Sequence, residues 1–116
     1  MKLQFDLKRK EETVVLENGD KKTEYVLREL SGKDRDFYLS KMSEKMRYEK
    51  GKPAGLKNFD GLQALLINLH LHTMDDVRVS VQEIQKFPAS VVSGLFDACQ
   101  SISSLGDEDE DEVGND

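Results

Sequence analysis

Tryptophan is missing from this 116-residue chain, cysteine occurs once, and proline and histidine twice each. The single thiol, Cys99, excludes an internal disulfide and suits a reducing compartment. No long apolar run exists. The densest stretch, residues 62–71, is interrupted by Gln63, Asn68 and His70, and it falls far short of the ~20 residues of a membrane span. The opening residues Met1-Lys2-Leu3-Gln4-Phe5-Asp6-Leu7-Lys8 lack the apolar centre of a secretory signal. The expectation is a soluble intracellular protein. Apolar residues make up 37% and charged residues 34%, a polar composition that still supports a core. The length suits one domain.

What is abundant is charge, and its distribution is uneven. The 17 Lys and Arg face 23 Asp and Glu, for a net charge of −6. Seven of the acids, and no base, fall within residues 106–116: Asp107, Glu108, Asp109, Glu110, Asp111, Glu112 and Asp116. Without them, residues 1–105 carry 16 acids against 17 bases. Consecutive like charges repel and have nothing to bury, so a disordered acidic tail is expected after a single domain spanning 1–105. Such a tail either solvates the protein, docks a basic partner or guards against premature association.

Leu3, Phe5 and Leu7 alternate with Gln4 and Asp6, the pattern of a half-buried strand. After the charged break Lys8-Arg9-Lys10-Glu11-Glu12, two β-rich runs, residues 13–17 and 23–28, flank Asn18-Gly19-Asp20, a strong hairpin signal. Residues 1–28 therefore read as a small antiparallel β-element. Helices follow over 31–105. Ser31 with Asp34 makes an imperfect capping box, and Tyr38, Leu39, Met42 and Met46 recur at helical spacing to about Glu49. Gly51, Pro53 and Gly55 predict a loop. A second helix starts near Asn58 or Asp60, with Phe59, Leu62, Leu65, Leu66 and Leu69 on one broad face. Ile67 and Leu71 lie off that face, so this helix is apolar nearly all round and needs to be central or covered.

Residues 70–79 read ambiguously. Ser80-Val81-Gln82-Glu83 is a capping box for a short helix to Lys86, and Pro88 suits the first position of another. Val91, Val92, Leu95, Phe96, Cys99, Ile102 and Leu105 form its amphipathic stripe, closed by Gly106. The fold class is α+β: a small N-terminal antiparallel hairpin or sheet, then three to four helices.

Chemistry is sparse. His70 and His72 form a His-x-His pair that could chelate on a strand but would diverge on a helix, and no further His or Cys completes a site. Cys99 sits at core spacing and reads as a small hydrophobe. Asp75-Asp76 reads as a solvated turn rather than a catalytic dyad. There is no Gly-x-Ser-x-Gly, phosphate-cradling loop or dinucleotide fingerprint. The chain is therefore expected to be no enzyme, with no catalytic, cofactor-binding or metal residues. Eight bases between Lys33 and Lys57 face four acids, and Phe37 and Tyr48 could stack on bases. The small excess of the body makes a mixed, solvated helix face the favoured reading over nucleic-acid binding.

Three stretches carry a family resemblance. Leu27-Arg28-Glu29-Leu30-Ser31-Gly32-Lys33 joins a strand to a helix, residues 59–71 are Leu-rich, and residues 80–105 run from a capped helix through Pro88 into the amphipathic helix. Over roughly residues 25–105 the chain resembles the tail assembly chaperones of long-tailed bacteriophages and prophages, departing from their pattern after Cys99. The resemblance implies a non-enzymatic protein of the bacterial host cytoplasm. Its implied partner is the long helical tape-measure protein, kept soluble until the tail tube forms around it. It also implies a frameshifted longer product and is compatible with self-association along the client. Two other readings stay open: another small phage structural or adaptor protein, such as a tail-tube accessory or head–tail connector, and a small nucleic-acid-binding regulator.

Overall fold

The structure, a computed structural model, describes residues 1–49, 52–56 and 61–105. Its architecture is α+β, with a three-stranded antiparallel sheet and four helices among the described residues. Strands β1 (Glu11–Asn18) and β2 (Lys21–Arg28) form the hairpin that Asn18-Gly19-Asp20 predicts, in the register Val14↔Tyr25 and Asn18↔Lys21. Gly19 takes φ +64° at the first loop position, where a type II′ turn reserves space for glycine. The remaining elements are α1 (Gly32–Glu44), β3 (Met46–Glu49), β4 (Lys52–Leu56), α2 (Leu62–His70), β5 (Leu71–Thr73), α3 (Val81–Ile84) and α4 (Ala89–Ile102).

The sheet order is β1-β2-β5. The alternating residues 3–7 form no strand; Leu3, Phe5 and Leu7 are 72, 82 and 96% exposed. Period-2 alternation marks a face that wants cover but supplies no partner. The third place in the sheet goes to β5, which pairs Leu71 with Leu27 and Thr73 with Tyr25.

Other boundaries shift for local reasons. Helix α1 stops at Glu44, not near Glu49, with the Lys45 amide donating to the Met42 carbonyl. Met46–Glu49 instead pairs with Lys52–Leu56, so Pro53 and Gly55 lie in a strand and not in a loop. Beyond Met42 only Met46 continues the helical spacing, too little apolar surface to outweigh strand pairing. Asn58, Phe59, Asp60, Gly51, Gly106 and the acidic run lie outside the described residues. The short helix ends at Ile84 and not Lys86. Pro88 caps α4 and is not its first residue.

The C-terminus of α4 closes at Ile102, before the expected glycine. Ser104 takes φ +53°, its amide donates to the Ser101 carbonyl, and the Leu105 amide donates to the Gln100 carbonyl. That pair of bonds is a Schellman closure with serine in the left-handed place, and Leu105 folds back to be buried.

Helix α2 is the centre of the molecule. Leu62, Ala64, Leu66, Ile67, Leu69 and His70 are all buried, and the helix touches α1, α3, α4, β2 and β5. A helix apolar nearly all round is stable in water only in such a place. Leu27 and Leu71 cover it from the sheet, Tyr38 from α1, Ile84 from α3, and Leu95, Cys99 and Ile102 from α4.

Candidate functional site

The two histidines fall on different elements. His70 is the last residue of α2 and His72 the middle of β5, so neither the strand nor the helix geometry of a His-x-His pair applies. His70 is fully buried. Its Nδ1 lies 2.8 Å from the Leu66 carbonyl oxygen, which can only accept, so Nδ1 carries the proton. The lone pair of Nε2 then accepts from the Ser103 hydroxyl at 2.7 Å, and the Ser103 oxygen accepts from the Leu30 amide at 3.1 Å. One chain of bonds thus ties the end of α2, the C-cap of α4 and the link from β2 to α1. Both ring nitrogens are occupied, leaving His70 no site for a metal.

The same logic places the proton of His72 on Nδ1, donating to the His70 carbonyl at 3.0 Å. Burial lowers the pKa of both rings below the ordinary histidine value, more than the hydrogen bonds to the carbonyls raise it. Among the described residues no three His, Cys, Asp or Glu side chains group to hold a metal ion.

Asp75 and Asp76 do not act as a pair. Asp76 takes φ +66° in the turn after β5, and its carboxylate accepts from Arg28 Nη1 at 2.8 Å. Arg28 also donates through Nε to Glu11 at 2.6 Å. The Arg28 guanidinium holds the Asp76 carboxyl below the usual carboxylate range. Asp34 accepts from Arg78 at 2.7 Å, while its amide donates to the Ser31 hydroxyl at 3.1 Å. The Ser31 cap forms as the sequence predicts, but the Asp34 carboxylate is spent on Arg78. These charges brace the strand ends and the start of α1.

Cys99 is fully buried, and desolvation pushes its thiol far above the ordinary cysteine range. A thiol reagent is expected to label it only as fast as the protein opens globally. Labelling kinetics followed across denaturant concentrations check this, and fast labelling in native buffer would contradict it.

On the basic face, Lys41 sits over the Phe37 ring at 5.6 Å and pairs with Glu44 at 3.4 Å. Phe37 stays 45% exposed, with one ring face turned to a cation of its own helix. The Tyr48 side chain lies outside the described residues.

The concave surface lies elsewhere. A groove of ≈ 420 Å³ runs between the hairpin and the start of α4, lined by Leu16, Thr23, Tyr25, Phe87, Pro88 and Val91, with Glu17, Lys21 and Lys86 on its rim. A second, ≈ 300 Å³, lies on the other side of Phe87 against Ala64, Ala89 and Val92. No periodicity announces either groove. Leu16 reads as a strand residue, nothing in the sequence singles out Phe87, and only the fold places both on one groove. Among the described residues no helix is long and apolar enough to cross a membrane. Comparison with known proteins finds no family model, no curated protein and no solved structure that matches this chain.

Proposed function

We propose that this protein is a tail assembly chaperone of a long-tailed phage or prophage, which binds the tape-measure protein and keeps it soluble without making or breaking bonds. The observation that carries the proposal is the groove between the hairpin and α4. Leu16, Tyr25, Phe87 and Val91 give it an apolar floor, and Glu17, Lys21 and Lys86 give it a mixed-charge rim. Such a trough accepts the apolar face of an amphipathic helix, with the rim charges meeting the polar flanks of the client. A long helical client offers that face repeatedly along its length. The likeness of residues 25–105 to the family supplies the identity of the client.

The test is co-expression with the long helical protein encoded downstream. The client is expected to move from the pellet to the soluble fraction, and Leu16→Lys should return most of it to the pellet. Leu16 lies on a partly exposed strand edge, so the variant should keep its circular dichroism and thermal midpoint. Unchanged client solubility with the native chain would reject the proposal. Recovery of the protein from mature tails would favour the structural or adaptor reading instead. A slippery run before the stop codon, followed by an overlapping frame, would be independent support.

A further inference from the structure

We propose that residues 3–9 of one chain add antiparallel to the free edge of β1 in a second copy, so that two chains exchange these segments reciprocally and close a dimer. Four observations converge.

The first is an open edge. Among the described residues β1 pairs only with β2. The Glu29 amide donates to the Lys10 carbonyl at 2.8 Å, which makes Lys10↔Glu29 a directly bonded pair. Bonded pairs alternate along an antiparallel ladder, so the even residues of β1 face β2. The N–H and C=O groups of Glu11, Thr13, Val15 and Glu17 face outward, a template for another strand.

The second is a strand without a partner. Leu3, Phe5 and Leu7 alternate with polar residues and stand in water, and the one hydrogen bond described within residues 1–8 runs from the Lys8 amide to the Asp6 side chain. Val15, on the outer face of β1, is itself 48% exposed.

The third is charge. Residues 1–10 carry Lys2, Lys8, Arg9 and Lys10 against Asp6 alone, whereas β1 carries Glu11, Glu12 and Glu17 and no base.

The fourth is direction. Arg9 Nε–H donates to the Glu29 carbonyl at 2.8 Å and the Lys10 amide to the Glu29 carboxylate at 3.0 Å. These bonds continue the line of β1 through Lys10 and Arg9 past the end of the hairpin, and among the described residues, residues 1–8 pair with no strand. Folding back would need Arg9-Lys10 as the turn. A tight hairpin turn wants Gly, Asn or Asp there, and both residues are already held by Glu29.

One register satisfies all four. Pairing Arg9 with Glu11, Leu7 with Thr13, Phe5 with Val15 and Leu3 with Glu17 bonds the outward groups of β1. It sets Phe5 over exposed Val15 and places Lys8 opposite Glu12. The register is symmetric about Lys10, so the same pairing serves both chains and the assembly closes with twofold symmetry. Reciprocal pairing is an economical closure, since the β1 edge is already in place and only residues 3–9 of each chain have to order as a strand.

Sedimentation of the full chain tests this. A reversible monomer–dimer equilibrium is expected. Phe5→Asp should weaken it at least about 30-fold, as loss of a central aromatic anchor does, with unchanged circular dichroism because Phe5 supports nothing in the monomer. Lys8→Glu should weaken it too, and adding Glu12→Lys should restore it, since each reversed Lys8 then meets a reversed Glu12 of the other copy. A chain that stays monomeric, a dimer indifferent to Phe5→Asp, or no rescue by the double reversal would overturn the proposal. So would a monomer whose amides at residues 3–8 resist exchange, because that is the folded-back hairpin.

Discussion

Replacing His70 by alanine is expected to lower the unfolding free energy by about 2–5 kcal/mol, combining a core cavity with a broken polar chain. The cavity opens at the end of the central helix, where His70 has no exposure. The broken chain leaves the Ser103 hydroxyl without its acceptor while its oxygen still holds the Leu30 amide. Urea unfolding reads the loss. The substitution also carries a pH signature. Burial lowers the pKa of His70 and His72 in the folded state below the ordinary 6.5. Between the lowered values and 6.5 the unfolded chain binds more protons than the folded one, so stability rises with pH. The contribution is complete above about pH 6.5 and is lost as pH falls below it. Each histidine adds at most about 1.4 kcal/mol per pH unit. His70→Ala removes one of the two contributions, so the rise of stability with pH just below 6.5 should become shallower. The Asp76 carboxyl, held low by Arg28, titrates below this window and leaves it clean. An unchanged slope would mean that His70 takes up its proton within the fold.

The parts of this molecule legible in the sequence are those fixed by neighbours in the chain. Asn18-Gly19-Asp20 sets the hairpin because glycine accepts positive φ, and Ser31 and Ser80 cap helices three residues on. The apolar residues nearly all round α2 called for a central place or a covering partner, and the fold gives it the central place. What escaped was fixed by distant partners. Three residues, Leu71-His72-Thr73, are too few to show a period, and they are a strand only because β2 lies beside them. Conversely, Leu3-Gln4-Phe5-Asp6-Leu7 shows the period clearly and has no strand beside it. The role of His70 depends on Ser103, 33 residues away. Ser104 takes a left-handed conformation that sequence reasoning assigns to glycine, and the burial of Leu105 accounts for it. The groove was invisible for the same reason, since Leu16 and Val91 come to line one groove only in the folded chain.

Ile67→Ala separates the two fates open to an apolar helix, burial within the chain or cover by a client. Ile67 has no exposure and lies off the face that Leu62, Leu66 and Leu69 share, so it senses whether the far side of α2 is already filled. Because it packs inside the isolated chain, its truncation should cost about 2–5 kcal/mol in the absence of any partner. For a domain of this size that corresponds to a thermal midpoint lower by about 10 °C or more. Leu65→Ala is the internal reference. Leu65 is only partly buried against the core, so a cost nearer 1 kcal/mol is expected from the smaller area withdrawn from water, at roughly 25 cal/mol per Å². The ratio of the two costs carries the argument, because both remove the same number of apolar carbons from one helix, and the larger propensity gain on losing β-branched Ile works against the expected difference. A large cost at Ile67 with a small one at Leu65 assigns α2 to the monomer core, leaving client binding to the groove beside Leu16. Equal, small costs would mean that the far side of α2 is loosely covered in the free chain. The client-binding surface would then have to be sought on that helix.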